Sequence, residues 1–533
     1  MITLKELMLT SMSTMLVTYG FTKTKNETKD PNVVIIFTDD LGYGDLSCFN
    51  SESKIKTPNL DKLAKHGISF TDAHAASSVS TPSRYGLLTG EYSWKTRLKS
   101  SVLVGFSKTL IKEGQPTIAS MLHSKGYTTA CIGKWHLGMD FQTKNGKPLT
   151  KKQEHSGDNV DYTKSIKNSP ITHGFDYYYG ISASLDMPPF LMIENDRVEK
   201  LPNCKFLFSQ FTRHDNDISA NPFLRAGDAI FGEGPETFLP RLANKVNDKI
   251  LAYSKESKPF FIYYPMPSPH APIAPSSQFK GKSKIGAYGD YVMEIDYYVG
   301  KLIKQLKKTG QYKNTIIMFS SDNGPEFFAY NRYLRTGQSS TANLKGIKRD
   351  IWEGGHRVPL IISWPQGFKQ YKIDKVSHPV CLSDIYATLA DITGHELNNN
   401  EAADSYSLLP LISGNGKYER NYIIHHSCDG TFGVRKGDWV LIEFGLGDSN
   451  HEFTKSNLST AKYYKKLGYT IPKYQPKGEL YNLKNDLGEY HNVYNEHPEL
   501  VKELDSYIQK STRGYHTLRE EYMKHQGEKI LVR

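Results

Sequence analysis

The stretch Asn32-Val33-Val34-Ile35-Ile36-Phe37-Thr38-Asp39-Asp40-Leu41-Gly42 decides how this chain folds. Its unbroken run of β-branched and aromatic residues fits a strand buried on both faces, the usual situation in a parallel sheet covered by helices. The run ends in two adjacent carboxylates and a glycine. Acids at the C-terminal end of a buried strand stand where open α/β sheets bind ligands. The theme returns at residues 315–321, a second buried strand, which ends in Ser321-Asp322-Asn323-Gly324. Two such ends predict one sheet with an oxygen-lined site at its edge.

Further strands are expected at residues 127–132, 259–264 and 360–363. Helices are expected at 57–64, 117–125, 288–308 and 383–394. This alternation predicts an α/β fold: a large mixed, mainly parallel sheet sandwiched by helices. Residues 140–245 read as a loop-rich insertion, which in a compact domain is usually functional. After residues 408–414 the character changes. Short alternating segments at 422–426, 430–436 and 438–444 read as antiparallel strands, followed by a helix at 498–513. The expected organisation is a leader over 1–30, an α/β domain over 31–414, and a smaller C-terminal α+β domain over 415–533 carrying the antiparallel sheet.

The chain has 533 residues, 38% hydrophobic and 23% charged, which excludes a disordered protein. Residues 7–21 are mildly apolar, follow Lys5 and precede a polar run, as in a signal peptide. No other run is long and apolar enough to span a bilayer, so no integral membrane segment is expected in the mature chain. The net charge of +11 favours an anionic partner. No helix-turn-helix, zinc-finger or RNA-binding signature accompanies it, so nucleic acid is not expected and a sulfated polymer explains the charge equally well. Five cysteines, Cys48, Cys131, Cys204, Cys381 and Cys428, are few, odd in number and not spaced as zinc ligands.

The chemistry centres on Ser80-Thr81-Pro82-Ser83-Arg84, continuing through Tyr85 to Thr89-Gly90. Pro82 suits the first turn of a helix and Gly90 suits its end. Ser80 then lies at a helix N-terminus, where free N–H groups favour an anion, with the Arg84 charge one turn on. Asp39, Asp40, Asp322 and Asn323 offer only oxygen ligands. Such a set selects a hard cation, and calcium, which tolerates irregular geometry, is expected ahead of magnesium.

These residues resemble, in type and order, the type I sulfatases of the alkaline phosphatase superfamily. Their signature is Cys/Ser-x-Pro-x-Arg followed by a segment ending in Thr-Gly. The resemblance spans roughly residues 32–412 and a C-terminal Glu479-Leu480-Tyr481-Asn482-Leu483 segment. It implies that Ser80 is oxidised to formylglycine by an anaerobic-type sulfatase-maturing enzyme. It also implies that Asp39, Asp40, Asp322 and Asn323 hold one divalent metal together with residue 80.

Lys134 and His136 match the family's Gly-Lys-x-His element, and His270 its second histidine. Lys348 matches its second lysine, although charge alone does not separate Lys348 from Lys345. By analogy, one hydroxyl of the hydrated aldehyde attacks sulfur, with His270 as general acid and Lys348 on the bridging oxygen. His136 helps deprotonate the other hydroxyl, expelling sulfate. Arg84 and Lys134 supply fixed positive charge.

The implied function is hydrolysis of sulfate monoesters on a sulfated oligosaccharide or polysaccharide. The implied setting is export to the periplasm or surface of a Gram-negative bacterium. A phosphomonoester or phosphodiester hydrolase, or an inactive glycan-binding relative, are the alternatives. Asp186, Arg213, His214, His425 and His426 are the expected sugar contacts.

Overall fold

The computed structural model describes residues 30–207, 225–450, 458–472 and 475–512. The expected leader up to residue 29 and two expected sugar contacts, Arg213 and His214, lie outside the described residues.

The opening strand, Asn32–Thr38, is buried along its whole length. It runs parallel to Thr315–Ser321 on one side and to Phe260–Pro265 on the other. Beyond Phe260–Pro265 come Thr128–Lys134 and Tyr177–Ile181, both parallel. Beyond Thr315–Ser321 come Arg357–Ser363 and then Ile68–His74, each antiparallel to its neighbour. With short edge strands the described sheet has eleven members. Register decides the site: Thr38 pairs with Ser321, so Asp39 and Asp322 leave the sheet side by side.

Side chains of a strand alternate between faces, so a strand buried on both sides feeds two cores. Val33, Ile35 and Phe37 join one hydrophobic cluster, while Val34 and Ile36 join the other. The first cluster takes in Leu87 and Leu88 of the helix Ser80–Thr89, Ile118 and Leu122 of Ile118–Ser124, and Ile385 and Leu389 of Asp384–Thr393. The second takes in Leu242, Val246 and Ile250 of the helix Phe238–Tyr253, and Ile295, Val299 and Leu302 of Ala287–Lys308. Each such side chain contributes about 1.5–3 kcal/mol by leaving water. The sheet is therefore a rigid floor for whatever its strand ends carry.

Ile423–His426, Phe432–Lys436, Trp439–Ile442 and Glu479–Asn482 form a separate four-stranded antiparallel sheet. Leu504 and Ile508 of the helix Pro498–Thr512 cover it. A bridge between Ser77 and His426 ties this sheet to the segment leading into Ser80.

Where the sequence predicts an irregular insertion, the structure has several elements, of which a helix and a strand matter most to the sheet. Phe238–Tyr253 buries Leu239, Leu242, Val246 and Ile250 at helical spacing. Its Pro240 sits in the first turn, where a missing N–H has no partner to lose. Tyr177–Ile181 pairs with Thr128–Lys134, and its first residues are tyrosines suited to a half-buried pleated surface. The strand Ile68–His74 is also absent from the expected set, because its buried Asp72 and His74 interrupt the apolar pattern.

Candidate active site

The helix Ser80–Thr89 begins at Ser80 itself, after extended Val79, and ends at Gly90 in the left-handed region. All ten of its residues are buried, which fixes Ser80 firmly. Ser80 Oγ donates to Asp39 Oδ1 at 3.1 Å and lies 3.5 Å from Asn323 Oδ1. Lys134 Nζ donates to Ser80 Oγ at 3.1 Å and to both Asp39 oxygens at 2.8 and 2.7 Å. Arg84 donates to Asp322 Oδ2 through Nε at 3.1 Å and Nη2 at 2.7 Å. Lys348 Nζ donates to Asp40 Oδ2 at 2.8 Å, and Asn323 Nδ2 to Asp40 Oδ1 at 2.8 Å.

The structure thus brings together Asp39, Asp40, Ser80, Arg84, Lys134, Asp322, Asn323 and Lys348. They come from four strand ends or loops and one helix.

Three buried carboxylates face three buried cations: Asp39 with Lys134, Asp40 with Lys348, Asp322 with Arg84. Burial pushes the Asp39 carboxyl up, but Lys134, His270, Arg84 and Lys348 outweigh it and hold it well below the usual carboxylate range. At Asp322 burial wins over Arg84 and the pKa rises. Burial lowers the Lys348 ammonium, yet Asp40 and Glu326 more than offset this and keep it protonated.

The donor set fits a divalent cation. Asp39, Asp40, Asp322 and Asn323 present hard oxygens, and carboxylate oxygens of Asp39 and Asp40 lie within 4.8 Å of each other and of a His270 nitrogen. A divalent ion added to a balanced set of three acids and three bases leaves the site net positive, ready for an anion.

Two histidines border this cluster. His136 Nε2 lies 2.8 Å from the Leu103 carbonyl, an acceptor, so Nε2 carries the proton and Nδ1 keeps its lone pair. Nδ1 is buried without a hydrogen-bond partner among the described residues. Burial, then Lys134 and Arg84, hold the His136 pKa well below its ordinary value, so the ring is neutral. His270 turns Nδ1 to the Ala271 carbonyl, and its Nε2 lies 3.6 Å from Asp40 Oδ2. His136 and Asp40 both have positive φ, 57° and 65°. Non-glycine residues seldom adopt that conformation, and it concentrates at functional sites.

A cavity of about 210 Å³ opens above Ser80. His136, His270 and Lys348 line it, as does Asp186, one of the expected sugar contacts. His425 and His426 do not. They end a strand of the C-terminal sheet and are 1% and 0% exposed, with no surface to offer a sugar. The His425 ring stacks on His356, and His426 packs against Trp94 and Phe432. Their polar names conceal core roles.

Lys345, the competitor of Lys348, is also elsewhere. Its Nζ reaches the Glu489 carbonyl at 3.0 Å and the Tyr469 and Tyr481 hydroxyls at 3.2 and 3.3 Å. Three charged residues lining the cavity are absent from the expected set: Arg225, Glu326 and Arg349. Arg349 stands at a positive φ of 84°, a strain invisible in sequence.

Residues 31–395 match the family described as Sulfatase. A curated relative, the N-acetylgalactosamine-6-O-sulfatase of Bacteroides thetaiotaomicron, is 31% identical over 90% of this chain and 92% of its own. Human arylsulfatase A is 30% identical over 87% of this chain and 83% of its own. Among solved structures, one from work on glycosaminoglycan metabolism by Bacteroides thetaiotaomicron superposes with a TM-score of 0.74 at 29% identity. It covers 91% of this chain and 100% of that one. Another, solved with a neocarrahexaose bound, gives 0.64 at 25% identity, covering 91% and 93%. With the matched segment containing Ser80, the oxygen-bearing side chains around it and both histidines, the chain belongs to the sulfatase family.

Proposed function

We propose that the protein hydrolyses sulfate monoesters on a sulfated carbohydrate, with residue 80 matured to formylglycine and Ca²⁺ held by Asp39, Asp40, Asp322, Asn323 and residue 80. The single observation that carries this reading is the setting of Ser80 Oγ. It stands in hydrogen-bonding contact with Asp39 and Lys134, between an oxygen-only ligand set and a cavity bordered by two histidines. The relatives named above, which include a hexosamine sulfatase, support the carbohydrate class.

In this reading the metal supplies Lewis acidity at the sulfuryl oxygens, and the hydrated aldehyde supplies a nucleophilic hydroxyl. The rest falls to the chain's own residues. Lys134 and Arg84 provide fixed positive charge, already oriented by buried partners, so little reorganisation is needed during reaction. Lys348, kept protonated by Asp40 and Glu326, favours charge on the leaving oxygen. As the sulfur–oxygen bond to the sugar breaks, His270 gives the departing alcohol its proton. His136, neutral and with Nδ1 bare, accepts the proton that must leave residue 80 when sulfate is released. The balance is an ester and water converted to alcohol, sulfate and a proton.

Maturation by an anaerobic-type sulfatase-maturing enzyme, and export to the periplasm or surface of a Gram-negative cell, belong to the same proposal. The Ser form of the signature and the polar-flanked apolar start support them. The test is paired. Mass spectrometry of the peptide containing residue 80 shows loss of two hydrogens after co-expression with a maturing enzyme. The matured protein then releases sulfate from sulfated sugars faster than phosphate from the matching phosphate esters. Faster phosphate release by protein whose residue 80 is unmodified serine would favour the phosphatase alternative.

A further inference from the structure

The cavity wall carries two carboxylate–guanidinium pairs to which the proposed chemistry gives no contact with substrate, Glu326 serving there only to keep Lys348 charged. On one side Arg349 Nη2 donates to Glu326 Oε2 at 2.8 Å, and Lys348 Nζ lies 3.6 Å from the same oxygen. Burial raises the Glu326 carboxyl, but Arg349 and Lys348 overcome it and keep the group ionised. On the other side Arg225 donates to Asp186, Nη1 to Oδ2 at 3.4 Å and backbone N to the Asp186 carbonyl at 3.0 Å. Asp186 is 4% exposed, and its Oδ1 has no hydrogen-bond partner among the described residues. A buried carboxylate oxygen left open in a cavity wall wants a donor, and leaving it unpaired costs free energy.

Arg349 is held at its strained φ from both directions. Its N–H donates to the Ser78 carbonyl at 2.9 Å, and its carbonyl accepts from Cys428 N at 3.1 Å. Such an outlier persists only where surrounding structure enforces it, which points to a positioned guanidinium.

We propose that these two pairs recognise the sugar carrying the sulfate, and that the sugar is an uncharged hydroxylated ring, a hexose or N-acetylhexosamine, rather than a uronic acid. The inference rests on the sulfatase reading and names its substrate class. Asp186 Oδ1 and Glu326 Oε2 accept from ring hydroxyls, Glu326 Oε1 being already engaged by Arg349 and the Phe327 N–H; Arg349 and Arg225 donate to hydroxyl or amide oxygens. Each guanidinium already faces a carboxylate, and Lys348 faces two. A uronate carboxylate would therefore meet the open oxygen of Asp186 and the ionised Glu326 without a guanidinium of its own, an unfavourable like-charge contact in a partly desolvated space.

The test uses matured protein and three esters: a 6-O-sulfated N-acetylhexosamine, a 2-O-sulfated hexuronate, and 4-methylumbelliferyl sulfate, which lacks sugar hydroxyls. The wild type should prefer the hexosamine ester to the uronate. Asp186→Asn should lower the hexosamine-to-aryl ratio of kcat/KM roughly ten- to a hundredfold, chiefly through KM. Glu326→Gln, which releases Arg349 from its partner, should raise the uronate-to-hexosamine ratio. A merely structural role would depress all three esters alike and leave these ratios unchanged, which overturns the inference. So does a wild-type preference for the uronate, or aryl sulfate turnover with none of either sugar, while the sulfatase reading stands. If matured protein turns over none of the three, the sulfatase reading itself fails and takes this inference with it.

Discussion

Lys345 and Lys348 lie three residues apart, both buried, and the structure gives them opposite work. Replacing each with methionine, which keeps the length of the stem, separates the two roles. Lys348 Nζ is 2.8 Å from Asp40 Oδ2 and lines the cavity above Ser80. Removing a fixed positive charge from the place where, in the proposed reaction, the leaving oxygen gathers charge should cost about 10²–10³ in kcat. The fold should survive, because His270 and the Asn323 amide still face Asp40. Lys345 instead serves Glu489 O, Tyr469 and Tyr481, lies 3.8 Å from Glu479, and sits 4.0 Å above the Trp352 ring. Methionine there leaves a buried acid and three acceptors without their cation, a loss of about 3–5 kcal/mol in stability. Activity per folded molecule should stay within about threefold of wild type, since nothing at Ser80 is touched. The assay is urea unfolding alongside 4-methylumbelliferyl sulfate turnover normalised to formylglycine content. A Lys345→Met protein that is stable but inactive, or a Lys348→Met protein that keeps its kcat, would refute the assignment.

Three other outcomes are expected. The His426 ring, buried beside Trp94 and Phe432, is pushed by burial down to about 4, with Asp429 opposing. Its unfolded value is near 6.5, so the unfolded chain binds the extra proton between these values, and stability is lost as pH falls through that window. Between pH 7 and pH 5 this one ring should remove about 2 kcal/mol, and His426→Phe should abolish that portion of the slope in urea titrations at the two pH values. Exhaustive chelation should abolish sulfate release, with Ca²⁺ restoring it better than Zn²⁺; full activity with no residual metal would dismiss the ligand assignment. His136→Ala should lower kcat about 10²–10⁴ while leaving the unfolding midpoint near wild type, and an unchanged kcat would remove it from the proton inventory.

Much of this is legible where a residue's role follows from local pattern. The β-branched run from Val33 to Phe37 reads as a doubly buried strand, and Asp39 and Asp322 follow as its own end and its neighbour's. Pro82 and Gly90 bracket the helix that the structure draws from Ser80 to Thr89. What stays hidden depends on non-local partners. The neutrality of His136 is set by burial and by the Lys134 and Arg84 charges, and its tautomer by the Leu103 carbonyl, 33 residues away. His425 and His426 look like surface chemistry until the C-terminal sheet buries them. Glu326 and Arg349 have no motif; only the folded chain sets one against the other.

The pairing of acids with bases explains why so polar a centre can be built inside a core at all. Taking Asp39, Asp40 or Asp322 out of water singly would cost several kcal/mol. Lys134, Lys348 and Arg84 oppose that, and in doing so they are held in place before any ester arrives. The cations that offset the burial of these acids are therefore the same ones that would face developing charge during reaction. This sharing makes them hard to exchange. A substitution at Arg84 releases Asp322 as well as an anion-facing charge, so even Arg84→Lys, which keeps one charge but loses the two-pronged contact to Asp322 Oδ2, sacrifices geometry on both sides. Every change at those three positions reaches one of the three clustered carboxylates, whereas a change at Lys345, which shares their charge and burial but none of these acid partners, reaches only the fold.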